Sequence, residues 1–220
     1  MTSAWLASDW PQELDLIGQV RHRVRNAYQN GSGSTGPLFP LLQLEKWPAD
    51  DVGQRAWARF NGALDTLADT GEGFQRFFEA RKRREKPNLF ELFGFLHAMY
   101  VQSDCLKGMC HSLRMDCDPL GNPLVREVRE IRNRLCGHLA YSDRASEHSS
   151  AMWNENDIEV EGFAVWIYSD GDTWSGSHEF KYSDLYSKHQ KGLGSEFLIF
   201  EAELIERRRL GWTWDSLGKV

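Results

Sequence analysis

Arg132, Asn133 and His138 are the residues whose types and spacing bring chemistry within reach: a permanent planar cation, a polar amide and an imidazole along one short stretch. A guanidinium recognises an anion through paired N–H donors, and an imidazole moves a proton near neutral pH. Spacing alone is a weak signal. With 18 Arg and 7 His in 220 residues, roughly 1.7 Arg-x(4–6)-His pairs arise by chance. Context strengthens it, because Glu130-Ile131 precedes the arginine and Gly137 precedes the histidine, late in a helix expected over Val125–Gly137. On an unbroken helix Arg132 and His138 would stand about 240° apart and about 9 Å along the axis. They meet only if the helix breaks at Gly137 or if two chains share the site. Arg134 lies four residues before His138, shares its helical face, and is a further candidate for substrate binding together with Arg129. The rival reading of Arg126, Arg129, Arg132 and Arg134 with Glu127 and Glu130 is an ion-paired, solvated helix face.

Other groups read more plainly. Cys105, Cys110, Cys117 and Cys136 are too few and too irregular for a disulfide framework, and no tight pair of the C-x2-C kind points to zinc, so they are expected as structural thiols with no metal. His97 and His111 fall on or near the apolar side of a helix and are expected to be packed and hydrogen-bonded. Arg81–Arg84 and Arg207–Arg209 are concentrated positive runs suited to helix C-termini, with flanking of an RNA path as the alternative. Trp166, Trp174, Trp212 and Trp214 could stack bases, although in a chain with nine tryptophans core packing is the expected role. The stretch Gly31–Pro37 lacks the Gly-Lys-Ser/Thr ending of a phosphate loop and reads as linker.

These residues need a scaffold, and hydrophobic periodicity predicts a mostly helical one. Helices are expected over Gln12–Gln29, Asp51–Ala68, Gly71–Lys86 and Leu89–Arg114, the last with an apolar stripe sustained over about seven turns. A turn at Asp116–Asn122 leads through Pro123, a good first helical residue, into the helix of the motif. Beyond residue 140, Ser142–Ser150 reads as a polar loop. Ile158–Tyr168 reads as a strand or a bulged pair, Ser169–Asp172 as a turn, and His178–Tyr182 as a return strand. Ser195–Arg209 reads as a final helix. The expected fold is mainly α: an antiparallel helical bundle over residues 1–140, with a small C-terminal β-hairpin plus helix extension over 141–220.

The net charge of −6 argues against a broad basic face for duplex nucleic acid, so any contact with RNA must be local. No apolar run approaches the ~20 residues of a membrane span, and Met1-Thr2-Ser3-Ala4-Trp5 does not open a signal peptide, which makes the cytoplasm the expected compartment, with no membrane partner.

In this setting Glu130-Ile131-Arg132-Asn133…Gly137-His138 resembles the HEPN superfamily, whose members carry Arg-polar-x(3–5)-His and often an extended EIRN…GHP pattern. Leu139 stands where that pattern has proline. The resemblance covers residues 10–140. It implies a helical bundle that dimerises with its motif helices at a shared cleft, and many relatives are metal-independent ribonucleases of toxin–antitoxin or antiviral systems, while others are non-catalytic. Carried over by position, it implies that Arg132 grips the scissile phosphate, Asn133 orients or supports it, and His138 is the acid/base, with no cofactor. RNA brings its own nucleophile, the 2′-hydroxyl, so a proton acceptor and a fixed cation suffice. The partners implied are RNA or a nucleotide, a second copy of the chain, and an antitoxin protein. The alternative is a non-catalytic module that binds nucleotide or RNA, or serves only dimerisation.

Overall fold

The computed structural model describes residues 51–136, 149–169 and 175–209, together with Ile17, a helical residue buried in the core. The rest of the helix expected at Gln12–Gln29, the linker at 31–37 and most of the turn after Ser169 lie outside the described residues. Among the described residues of 51–209, four helices and three strands follow one another: α1 (Asp51–Lys82), α2 (Leu89–Ser112), α3 (Pro123–Cys136), β1 (Ser149–Met152), β2 (Gly162–Ser169), β3 (Gly176–Lys181) and α4 (Tyr182–Arg209). The fold is mainly helical with one small antiparallel sheet in the order β1-β2-β3.

The two helices expected at Asp51–Ala68 and Gly71–Lys86 are one continuous α1. Glycine at 71 and 73 costs a helix about 1 kcal/mol each. Phe74, Phe77 and Phe78 are buried directly beyond them, Phe77 stacked on Phe95 of α2 with centroids 4.6 Å apart. Burial of one such ring contributes about 1.5–3 kcal/mol, which outweighs the glycine penalty. The helix ends where Arg84 takes a left-handed backbone (φ 63°) and Glu85 N–H reaches back to the Ala80 carbonyl at 3.1 Å. Asn88 then opens α2 through a capping box, its side chain accepting from Glu91 N–H at 3.0 Å while the Glu91 carboxylate accepts from Asn88 N–H at 2.8 Å.

The final helix begins at Tyr182, well before the expected Ser195. Gly192 lies inside this helix, where α3 crosses close by. A Cβ on it would lie 2.7 Å from Leu124 Cβ and 3.1 Å from Val125 N. Asn122 ties the same crossing, capping α3 at Leu124 N–H (3.0 Å) and donating to Glu196 Oε1 of α4 (2.9 Å). Gly192→Ala is therefore expected to destabilise the fold by about 1–3 kcal/mol through overpacking, despite the ~1 kcal/mol that alanine gains in helix propensity. Urea unfolding checks the sign.

In the sheet, Ile158 bridges Phe163, so the expected bulged pair is a tight return into β2. The loop expected through Ser150 gives way at Ser149, where β1 pairs with β2 (Ser149 with Ser169, Met152 with Trp166). Phe163, Val165 and Ile167 face inward and are buried, whereas Trp166 is 50% exposed on the outer face and is not a core tryptophan. One core cluster joins α1, α2, the start of α3 and α4 through residues such as Phe60, Leu106, Val125 and Phe197. The other joins α1, α2, the rest of α3, the sheet and the start of α4 through Phe95, Ile131, Val165 and Tyr182. Cys110 and Cys117 are paired as a disulfide, with Cα atoms 6.1 Å apart, and so depart from the expected set of free thiols. The left-handed Arg114 (φ 49°) folds the chain back after α2 and brings the second cysteine to the first.

Candidate phosphate site on the α2–α3 face

Helix α3 buries Val125, Val128, Ile131 and Leu135, the apolar stripe read from sequence, against the rest of the molecule. That choice fixes where its arginines go. Arg129 and Arg132, one turn apart, flank the stripe on the α2 side, and Arg134, about 200° round the helix from Arg132, does not share their face.

Arg129 is a clamp between helices. Its Nη1 donates to Ser103 Oγ (2.5 Å), Asp104 Oδ1 (2.7 Å) and the Tyr100 carbonyl (3.3 Å), all on α2. Its guanidinium also lies 3.6 Å from the Tyr100 ring centroid. Arg134 donates from Nε and Nη2 to Glu130 Oε1, at 3.2 and 2.9 Å. Both side chains are mostly covered, at 15% and 13% exposure. Arg134 thus makes the pair with Glu130 that the rival reading named, whereas Arg129 pairs across to α2 rather than along α3, and neither side chain is solvated.

Arg132 differs. Among the described residues no carboxylate stands within ion-pair distance of it. Its guanidinium lies 4.6 Å from the Tyr100 ring centroid, Nη1 donates to Asn133 Oδ1 at 3.1 Å, and Nη2 meets Nδ1 of His97 at 3.1 Å. Nε is buried without a partner. Two N–H groups are thus engaged, leaving one on each terminal nitrogen to receive an anion. A cation held by an aromatic ring, an amide and an imidazole, rather than by a carboxylate, keeps its charge available.

The predicted set is brought together only in part. Arg132 and Asn133 touch, Arg129 shares the Tyr100 ring, Arg134 is directed elsewhere, and His138 lies outside the described residues. His97 is exposed rather than packed, and its ring runs nearly parallel to Tyr100 (interplanar angle 14°). Sequence reasoning assigned His97 to packing and counted Tyr100 in the apolar stripe, although the two sit at i and i+3 on the flank of that stripe, a spacing that puts two side chains on one face.

Around the site, Trp153 Nε1–H donates to the Leu135 carbonyl at 3.2 Å and holds the last turn of α3. Burial pushes the Cys136 thiol up to about 11, the neighbouring Arg132 acting the other way, so it is no thiolate nucleophile at neutral pH. A groove of about 480 Å³ lined by Glu127, Ile131, His178, Asp184 and Lys188 includes none of the predicted site residues and mixes both charge signs. Among the described residues no group of three His, Cys, Asp or Glu is placed to hold a metal, and no helix is long and apolar enough to cross a membrane.

The concentrated arginines are largely engaged. Arg81 is buried over Phe77 (4.5 Å), Arg83 pairs with Glu85, Arg84 with Glu161, and Arg207 with Glu203. Comparison with known proteins finds no matching family model, no matching curated protein and no matching solved structure.

Proposed function

We propose that this chain is a HEPN-like, metal-independent endoribonuclease, with Arg132 as the phosphate ligand, Asn133 as its support and His138 as the acid/base. The observation that carries the reading is the state of Arg132: it is the motif arginine left without a carboxylate among the described residues, positioned by Asn133, Tyr100 and His97.

In the step proposed, the 2′-oxygen of RNA attacks the adjacent phosphorus and its proton passes to the His138 imidazole. The bond from phosphorus to the 5′-oxygen breaks, and that oxygen leaves with the proton returned by the imidazole. The products are a 2′,3′-cyclic phosphate and a 5′-hydroxyl. Arg132 neutralises the charge that grows on the non-bridging oxygens. His138 comes either from the same chain beyond α3 or from a second copy in a homodimer, and a cytoplasmic toxin or antiviral role with an antitoxin partner belongs to the same proposal.

A second reading, a non-catalytic module that binds RNA or nucleotide, is favoured by the net charge of −6 and by the neutralisation of Arg129 and Arg134, which leaves little free positive surface near the motif. The His138→Ala variant separates the two. It should lose RNA cleavage in EDTA by at least about a hundredfold, the scale of a lost general acid/base, with its melting temperature nearly unchanged. Full activity in that variant removes His138 from the mechanism, and a wild-type protein that binds RNA without ever cutting it selects the second reading.

A further inference from the structure

We infer that His97 is itself a phosphate-contacting residue, a neutral donor standing beside the cation of Arg132. The inference rests on the phosphodiester reading of Arg132 and adds a residue from a different helix, 35 positions earlier in the chain.

The geometry fixes the state of the ring. Arginine has donors and no acceptor, so the 3.1 Å contact between Arg132 Nη2 and His97 Nδ1 requires Nδ1 to offer its lone pair. The single proton of the neutral imidazole therefore sits on Nε2, on the far side of the ring. His97 is exposed, and no partner for Nε2 is present among the described residues. Tyr100, one turn further along α2, lies nearly parallel to the ring and beneath both guanidiniums, which holds the imidazole to this orientation.

Arg132 thus offers one N–H on each terminal nitrogen, and His97 a further N–H on the opposite side of its ring, facing away from the guanidinium. Arg132 takes the non-bridging oxygens of one phosphate, and Nε2–H of His97 donates to the neighbouring phosphate of the same strand. With its lone pair committed to Arg132 the ring is no general base, so its role is binding rather than proton transfer.

Two substitutions separate contact from positioning. His97→Asn keeps an acceptor close to the backbone for Arg132 and removes the far donor, whereas His97→Gln places an amide donor near the position of Nε2. The probe is a fluorescein-labelled, fully 2′-O-methylated single-stranded oligoribonucleotide, which cannot supply the nucleophile, titrated against the full-length chain by anisotropy. His97→Asn is expected to weaken binding about tenfold, as for a lost hydrogen bond to a charged group, and His97→Gln to stay within about threefold of wild type. Circular dichroism melts should agree for all three proteins, since the residue is exposed.

Wild-type affinity in His97→Asn overturns the inference. Equal losses in both variants also overturn it, by reducing His97 to a support for Arg132, as does absence of binding by the wild type. Cleavage of the unmodified RNA is scored separately. A split between the variants in a protein that never cuts RNA retains His97 and dismisses the nuclease, and cleavage without the split does the reverse.

Discussion

Arg132→Ala is expected to slow RNA cleavage by about a hundredfold to a thousandfold, the loss seen when one preorganised donor is removed from a developing oxyanion. The fold should hardly notice. Arg132 has no carboxylate partner among the described residues, its Nε is buried without a hydrogen bond, and its contact with Tyr100 contributes about 1 kcal/mol at most at a partly exposed position. Arg129→Ala makes the contrast: it breaks the contacts to Ser103 and Asp104 that join α3 to α2, so its first consequence is a lower melting temperature. Arg132→Lys should recover little, because an ammonium cannot reach Asn133 and His97 at once while presenting a planar pair of donors to phosphate. Single-turnover cleavage assays alongside thermal melts measure both halves of this expectation.

Acid should unfold the protein through His189. The side chain is 1% exposed and joined to a buried polar chain in which its Nε2 meets Gln102 Oε1 at 2.9 Å and Gln102 Nε2 donates to Thr70 Oγ1 at 3.1 Å. Burial alone holds its pKa down at about 3. In the unfolded chain the imidazole titrates at about 6.5. Between those values the unfolded state binds a proton that the folded state refuses, so stability is complete above pH 6.5 and falls as the pH is lowered towards 3. The slope is about 1.4 kcal/mol per unit from this one residue, a large share of the roughly 5–15 kcal/mol that a domain has in total. Urea unfolding at pH 7, 6 and 5 should show the decline, and His189→Gln, less stable at pH 7, should show less of it. Equal slopes in the two proteins would remove His189 as the cause.

What could be read in advance follows a physical line. Helix α2 was legible because its signals are local: Asn88 and Glu91 form the cap, and Leu92, Leu96, Met99 and Leu106 repeat on one face. The first half of α4 was not, because Lys188-His189-Gln190-Lys191 interrupts any apolar stripe. His189 and Gln190 are nonetheless buried, and His189 finds its partner in Gln102 of a neighbouring helix, which sequence spacing cannot show, while Gln190 Oε1 is buried without one. The helix break expected between Ala68 and Gly71 is overruled by the phenylalanines packed beyond it, and Gly192, short of the expected start at Ser195, lies at a helix crossing inside α4. Ser149–Met152 carries no strand signal of its own and takes its conformation from pairing with β2.

At the site, the contact between Arg132 and Asn133 is between neighbours in sequence and was legible as a motif. The meeting of Arg132 with His97 and Tyr100 depends on how α3 lies across α2. It became visible only in three dimensions, as did the contrast between Arg129 and Arg134, held by carboxylates, and Arg132, which has none among the described residues.

The chemistry of the cut ends tests the account most directly. Full-length protein incubated with single-stranded RNA in EDTA should leave a 2′,3′-cyclic phosphate on one fragment and a 5′-hydroxyl on the other, since the attacking group is the neighbouring 2′-oxygen. Fragments ending in a 3′-hydroxyl and a 5′-phosphate, or cutting that appears only when a divalent cation is restored, would contradict it.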